Sequence, residues 1–279
     1  MMADLSIDAL LTAGTLAEIE AIAVECAQLA GRKIVAALGR TLAVSYKGEA
    51  GALLDPVSEV DREVERLIRL RLAETLPLHD IIGEEVEERT GRAHDMVWVI
   101  DPVDGTTNFV NGFPLFAASI GVLCRGRPVA GAIWCSTGHR LRHGVYHARL
   151  GQGLRFDGEP VPARRNVAVR RRLASEPVAP GNPEWETRKT GSAAIECAFV
   201  AAGLLEVARI WSPNVWDVGA GVALVQAAGL VAYTCTEDRW APLVRFEARA
   251  SDEPGPPDLR NWRQPVVVGE LGAVERLCG

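Results

Sequence analysis

The chain has 279 residues, 48% of them apolar and 24% charged, with a formal net charge of −6. Such a chain can bury a sizeable core, and its negative balance excludes a broad nucleic-acid surface, which relies on clustered cations. No apolar run approaches the ~20 residues that span a bilayer, and the N-terminus, MMADLSIDALL, carries acids where a signal peptide carries Lys or Arg.

These features predict a cytoplasmic protein with no membrane or nucleic-acid partner. Cys26, Cys124, Cys135, Cys197, Cys235 and Cys278 lack C-x-x-C spacing, so buried free thiols are expected rather than zinc or disulfides.

In chain order, residues 16–38 place Leu16, Ile19, Ala23, Cys26, Ala27 and Ala30 at three-to-four spacing, which predicts an amphipathic helix stopped at Gly39. Lys47 follows in a polar loop. The segment 55–76, DPVSEVDREVERLIRLRLAETL, predicts a turn and a second helix. Asp61 falls in its first turn, where an acid favours the helix dipole by about 0.3–1 kcal/mol. Residues 80–83 predict a short strand leading into Glu84 and Glu85. The charged stretch after them reads either as a mobile lid or as an exposed hairpin.

The run VWVIDPVDGTTNFVNG, 97–112, is the most informative. Its four leading apolar residues suit a strand buried on both faces, so whatever chemistry follows sits at a strand's carboxyl end. Asp101 and Asp104 flank Pro102, which bars a regular helix and lets both carboxylates turn toward one point. At ~4 Å and an effective dielectric of about 20, each like-charged pair repels by roughly 4 kcal/mol, so such a cluster implies a cation. Hard oxygen ligands favour Mg²⁺, with Mn²⁺ as a substitute. Gly105, Thr106 and Thr107 supply amides and hydroxyls at a helix start, a seat for a phosphate.

Residues 113–136 predict two antiparallel strands around a turn at 126–128, with more strand near 144–147 and a glycine turn at Gly151 and Gly153. Two helices beside a mainly antiparallel sheet make an α+β first domain, 1–153. Residues 155–190 are rich in Arg, Pro and Glu. The basic run containing Arg164, Arg165, Arg170, Arg171 and Arg172 reads as a solvated loop. From 191 on, helices over 191–203, 216–228 and 270–278 alternate with strands over 204–211, 230–235 and 265–269. This alternation predicts a smaller α/β domain, 154–279, whose stretch 251–258 is a surface loop.

The run 97–112 resembles the first motif of the inositol monophosphatase family, Mg²⁺-dependent and lithium-sensitive phosphatases. WDVGAGVALVQAAG, 216–229, resembles the second, while GEE at 83–85 and DPVSEVD at 55–61 fill the remaining places in family order. The likeness runs from about 16 to the end and is weakest between about 155 and 190, where the family leads one to expect a strand and a helix. It implies a layered αβαβα sandwich of the inositol monophosphatase and fructose-1,6-bisphosphatase type, and a homodimer. It also implies a metal set of Glu84, Asp101, the Val103 carbonyl, Asp104 and Asp217 holding two or three Mg²⁺ ions, with Li⁺ inhibitory.

By the same resemblance Glu84, Thr106 and Asp61 are catalytic, Glu85 is Glu84's neighbour, and a metal-activated water is the nucleophile. Gly105, Thr106, Gly191, Ser192, Ala193 and Asp217 are implied to contact substrate. The implied substrate is myo-inositol monophosphate or a related small polyol or sugar phosphate. Histidinol phosphate, fructose 1,6-bisphosphate and a nucleotide 3′-phosphate are alternatives within the same chemistry, and a binding or regulatory role without turnover is the alternative outside it. Ile210 stands six residues before Trp216, where the family's ring-binding acid is expected, and cannot accept a hydroxyl hydrogen bond.

Overall fold

The computed structural model describes residues 11–46, 56–86, 94–162, 168–175, 184–250 and 257–278. Lys47, Arg164, Arg165 and most of the stretches 86–95 and 251–258 therefore lie outside the described residues. Helix α1 (Ala13–Ala37) starts where the Thr12 hydroxyl accepts from the Thr15 amide, and its predicted apolar face is buried throughout. Strands β1 (Val44–Tyr46) and β2 (Pro56–Ser58) pair antiparallel and lead into helix α2 (Glu59–Thr75). Ser58 and Asp61 close a capping box at its start, so Asp61 does serve the helix terminus.

Next come β3 (Asp80–Gly83), β4 (Met96–Asp104), the short helix α3 (Thr106–Val110), β5 (Ala117–Cys124), β6 (Arg127–Cys135), β7 (Gly144–Arg149), β8 (Arg155–Phe156) and β9 (Glu159–Pro160). The seven strands form one sheet in chain order, parallel between β3 and β4 and antiparallel thereafter. Each residue of β4 is buried, as its apolar run predicts. The strand does not stop at Asp101, however. It continues through Pro102 to Asp104 with a shift in register against β5, so the two aspartates sit on an irregular strand end rather than a free loop. The turn between β5 and β6 falls one residue earlier than expected. Arg125 and Gly126 both take positive φ, as a two-residue hairpin requires.

The segment 155–190 holds more strand than its composition predicts and no described helix. β8 and β9 close the first sheet, while β10 (Arg172–Ser175) and β11 (Trp185–Arg188) pair in parallel in a second. Helix α4 (Ala193–Ala201), strand β12 (Val207–Ile210), helix α5 (Val215–Ala227), strands β13 (Val231–Thr236), β14 (Arg239–Pro242) and β15 (Val266–Gly269) and helix α6 (Leu271–Cys278) complete the order. Within the second sheet the strands run β11-β10-β12-β15-β13-β14.

Three cores stack these elements. One lies between α1, α2 and the first sheet, the next holds α4 and α5 between both sheets, and a small one lies under α6. The result is an αβαβα sandwich. Helix α5 rests directly on strand backbone. A Cβ at Gly121 or Gly131 would come within 2.6 Å of Ala220 main-chain atoms, so only glycine permits the approach. On the far side, α1 is pinned to β7 by a buried carboxylate. Glu20 accepts from His147 Nδ1 at 2.7 Å and from the Arg149 guanidinium. His147 Nε2 in turn accepts from the Gly158 amide at 3.2 Å, which places the imidazole proton on Nδ1.

Candidate active site

Three separate elements bring four acids to the carboxyl end of β4. Asp101 and Asp104 close the strand itself, and Asp101 pairs across β5 with Ser119. The Ser119 hydroxyl donates to the Trp216 carbonyl at 3.2 Å, which puts the first turn of α5, and Asp217 with it, beside Asp101. Glu84 follows β3, which is parallel to β4, and its amide donates to the Ile100 carbonyl at 3.1 Å.

The electrostatics record this convergence. Burial pushes Asp101 well above the carboxylate range, and Glu84, Asp104 and Asp217 push it further, with Glu84 also within hydrogen-bonding reach. Burial and then Asp104 raise Asp217, although hydrogen bonds from Asn214 oppose this. Asp104 rises to about 7, again chiefly by burial, despite bonds from Ser192 and the Ala194 amide. Among the described residues, three or more acidic, histidine or cysteine side chains are not drawn onto one point as a closed cage. The bonds that Asp104 and Asp217 accept all fall on Oδ2, which leaves each Oδ1 outside them. An all-oxygen, mutually repelling, buried donor set fits a hard divalent cation, since the fold supplies acids there faster than countercharge.

The second group sits alongside. Thr106 Oγ1 lies 2.9 Å from Asp61 Oδ1 and 2.8 Å from the Val103 carbonyl, so its proton has two acceptors. Asp61 Oδ2 accepts from the Ser58 amide at 3.0 Å and from the Ser58 hydroxyl. Burial raises Asp61 to about 6 against these bonds, and the nearby charge of Glu85 adds to the rise. Glu85 thus faces Asp61 as well as following Glu84. Gly105 opens α3 in the left-handed region at φ 88°, where a Cβ would lie 3.2 Å from the carbonyl oxygens of Gly191 and Leu115.

The loop before α4 packs against α3 and the acid cluster. Asn108 bridges to it, donating to the carbonyls of Leu115 at 2.6 Å and Thr190 at 2.7 Å. Ser192 caps α4, accepting from the Ile195 amide, and donates its hydroxyl to Asp104. The Ala194 amide meets the same carboxylate oxygen at 2.6 Å. Gly191, Ser192 and Ala193 therefore stand at the acid cluster, with the Ser192 hydroxyl engaged by Asp104. Ile210 ends β12 half-buried against the middle core.

Two residues escaped the sequence reading. Glu65 is fully buried and holds the Glu84 segment, accepting from the amides of Glu85 at 2.7 Å and Val86 at 3.2 Å. Its signal was an acid four residues after Asp61, on the otherwise apolar face of α2. Arg260, far along the chain, reaches the same segment and left no local signal.

The family model for the inositol monophosphatase family matches residues 15–255. Inositol monophosphatase 1 of Solanum lycopersicum is 32% identical over 241 residues, covering 79% of this chain and 85% of its own length. Nus factor SuhB of Escherichia coli (strain K12) is 34% identical over 230 residues, covering 75% and 82% respectively. Among solved structures, extragenic suppressor protein suhB from Bartonella henselae superposes with a TM-score of 0.71 at 28% identity, over 94% of this chain and 97% of that one. A match that begins inside α1 and runs beyond β14 takes in every acid of the cleft, and the chain therefore belongs to the inositol monophosphatase family of phosphoric monoester hydrolases.

Proposed function

We propose that the protein hydrolyses a small polyol or sugar phosphate, with myo-inositol monophosphate the first substrate to test. The observation that carries this reading is the convergence of Glu84, Asp101, Asp104 and Asp217, each of the three aspartates made harder to ionise by burial and then by the charge of neighbouring acids. Glu84, Asp101 and the Val103 carbonyl would hold one Mg²⁺ ion, and Asp101, Asp104 and Asp217 another. When bound, such ions supply a more acidic water and neutralise charge on the ester and its leaving oxygen.

The chain's own groups do the rest. Thr106 Oγ1, hydrogen-bonded to Asp61, orients a water beside the cluster and passes its proton to that carboxylate. A pKa near 6 leaves Asp61 mostly ionised at neutral pH yet basic enough to accept it. The amides of Gly105 and Thr106, unpaired within their short helix, are placed to receive phosphate oxygens. Ile210 offers the alcohol portion an apolar contact where a ring-hydroxyl acceptor is expected, which supports a substrate with fewer hydroxyls to satisfy on that side.

Family likeness supports the remaining parts of the proposal: Mn²⁺ as substitute ion, Li⁺ as inhibitor, a homodimer, a cytoplasmic protein and a division near 153. A second reading, a binding or regulatory role, draws on the relative named as a Nus factor. One experiment separates the two. Purified protein with Mg²⁺ is offered myo-inositol monophosphate, histidinol phosphate, fructose 1,6-bisphosphate and a nucleotide 3′-phosphate, and free phosphate is measured. Release from at least one is expected, and release from none would leave only the second reading.

A further inference from the structure

Glu84 is held by a segment, 83–86, whose backbone groups find few partners in the sheet. The Glu84 amide reaches the Ile100 carbonyl, but those of Glu85 and Val86 go to Glu65 of α2. The segment's carbonyls go elsewhere: Arg260 donates from one guanidinium nitrogen to Gly83 O at 2.6 Å and Val86 O at 3.2 Å, and from the other to Glu84 O at 3.3 Å. These bonds join positions 174 to 177 residues apart in the chain.

The same guanidinium stacks on the Trp216 ring, 5.1 Å from its centroid, and Trp216 is the residue before Asp217. Arg260 is itself fixed. It lies in a single helical turn, Leu259–Asn261, whose cap is the buried Asp258 accepting from the Arg260 amide at 3.0 Å. A planar fork that meets several carbonyls while its charge stands over an aromatic ring is something arginine can do and lysine cannot.

We propose that Arg260 is a positioning residue that sets Glu84 relative to Asp217, and through that spacing the affinity of the site for divalent ions. It works through the backbone that carries one carboxylate and the ring that precedes the other. The inference rests on the metal-dependent reading above.

Its sign makes it testable. If Arg260 acted only as a nearby positive charge, its removal would relieve repulsion and tighten cation binding. A positioning role predicts the opposite, on the scale of 10- to 100-fold for loss of a group that orients a metal ligand.

Mn²⁺ binding to the intact chain, read by the electron paramagnetic resonance of free Mn²⁺ without any turnover, is compared for wild type, Arg260→Ala, Arg260→Met and Arg260→Lys. Melting curves identify the variants that fold. The dissociation constant is expected to rise about 10- to 100-fold in Arg260→Ala and Arg260→Met, and less in Arg260→Lys. The Mg²⁺ needed for half-maximal phosphate release should rise in parallel, while kcat at saturating Mg²⁺ stays within a few-fold. Unchanged or tighter Mn²⁺ binding in a folded Ala or Met variant would overturn the assignment. Wild-type protein that neither binds Mn²⁺ nor releases phosphate would overturn the metal-dependent reading with it.

Discussion

Two buried acid clusters lie on opposite flanks of the first sheet, and the fold treats them in opposite ways. Glu20, on α1, is 5% exposed and meets a histidine and an arginine. Burial alone would raise its pKa, but the bonds from His147 and Arg149 outweigh it and hold the carboxylate below its ordinary range. At the end of β4, Asp101 is 2% exposed and meets other carboxylates, so burial and repulsion act in the same direction. Both carboxylates are screened from solvent, Asp101 the more deeply, and what sets them apart is balance. A buried acid with its countercharge built in belongs to the structure, whereas buried acids crowded together await something from outside.

The comparison is broken most sharply at Asp104. Asp104→Asn should cost at least about 10²- to 10³-fold in phosphate release, the range for losing one electrostatic stabiliser. It should also melt higher than wild type when Mg²⁺ is withheld, because a repelling charge is gone. Full activity in this variant would contradict the metal assignment.

At the balanced cluster the expectation reverses. Glu20→Gln leaves Arg149 without its carboxylate and should destabilise the fold by about 3 kcal/mol, the lower end for breaking a buried pair, since Arg149 keeps a quarter of its surface in water. Its phosphate release per folded molecule should match wild type, as chemical denaturation paired with activity would show.

Titration gives a third test, in which the two kinds of acid pull stability in opposite directions. Asp61 has a folded pKa raised from 3.8 to about 6, so its contribution is present below pH 3.8 and lost as pH rises through 6, by at most about 3 kcal/mol. Glu20, lowered from 4.5, contributes above pH 4.5 and loses that contribution as pH falls through its folded pKa. Asp61→Asn should make the loss expected between pH 4 and 7 shallower, leaving the part contributed by Asp101, Asp104 and Asp217, as unfolding curves at a series of pH values would show. Phosphate release should rise with pH through about 6 in wild type, following ionisation of Asp61.

The smallest effect separates balance from burial. Lys33 and Glu63 are paired at 2.6 Å but stand 41% and 52% exposed. Lys33→Ala should change stability by less than about 1 kcal/mol, a shift that 0.5 M salt would already largely imitate.

Much of this was legible in the chain itself because the relevant signals are local. The face of α1, the buried run of β4, and the acids at 61, 84, 101, 104 and 217 each declare themselves within a few residues. What stayed hidden depends on distance or brevity. Strands β10 and β11 are four residues each with mixed burial, too short to show a period, and they pair with each other across a Pro-rich stretch. Arg260 makes its contacts with carbonyls some 175 positions earlier and with the ring of Trp216. The double use of Asp61, helix cap and proton acceptor candidate, could not be divided from spacing alone, since both uses place it in the first turn of α2.

Where α5 settles onto Gly121 and Gly131, main chain meets main chain with no flexible side chain interposed. Rotamer changes cannot alter that separation, and thermal motion must move the helix and the strands together. Asp217 and Asp101 therefore ride on one rigid block, so the gap that an ion would encounter under the proposed function is fixed when the chain folds rather than assembled anew at each visit.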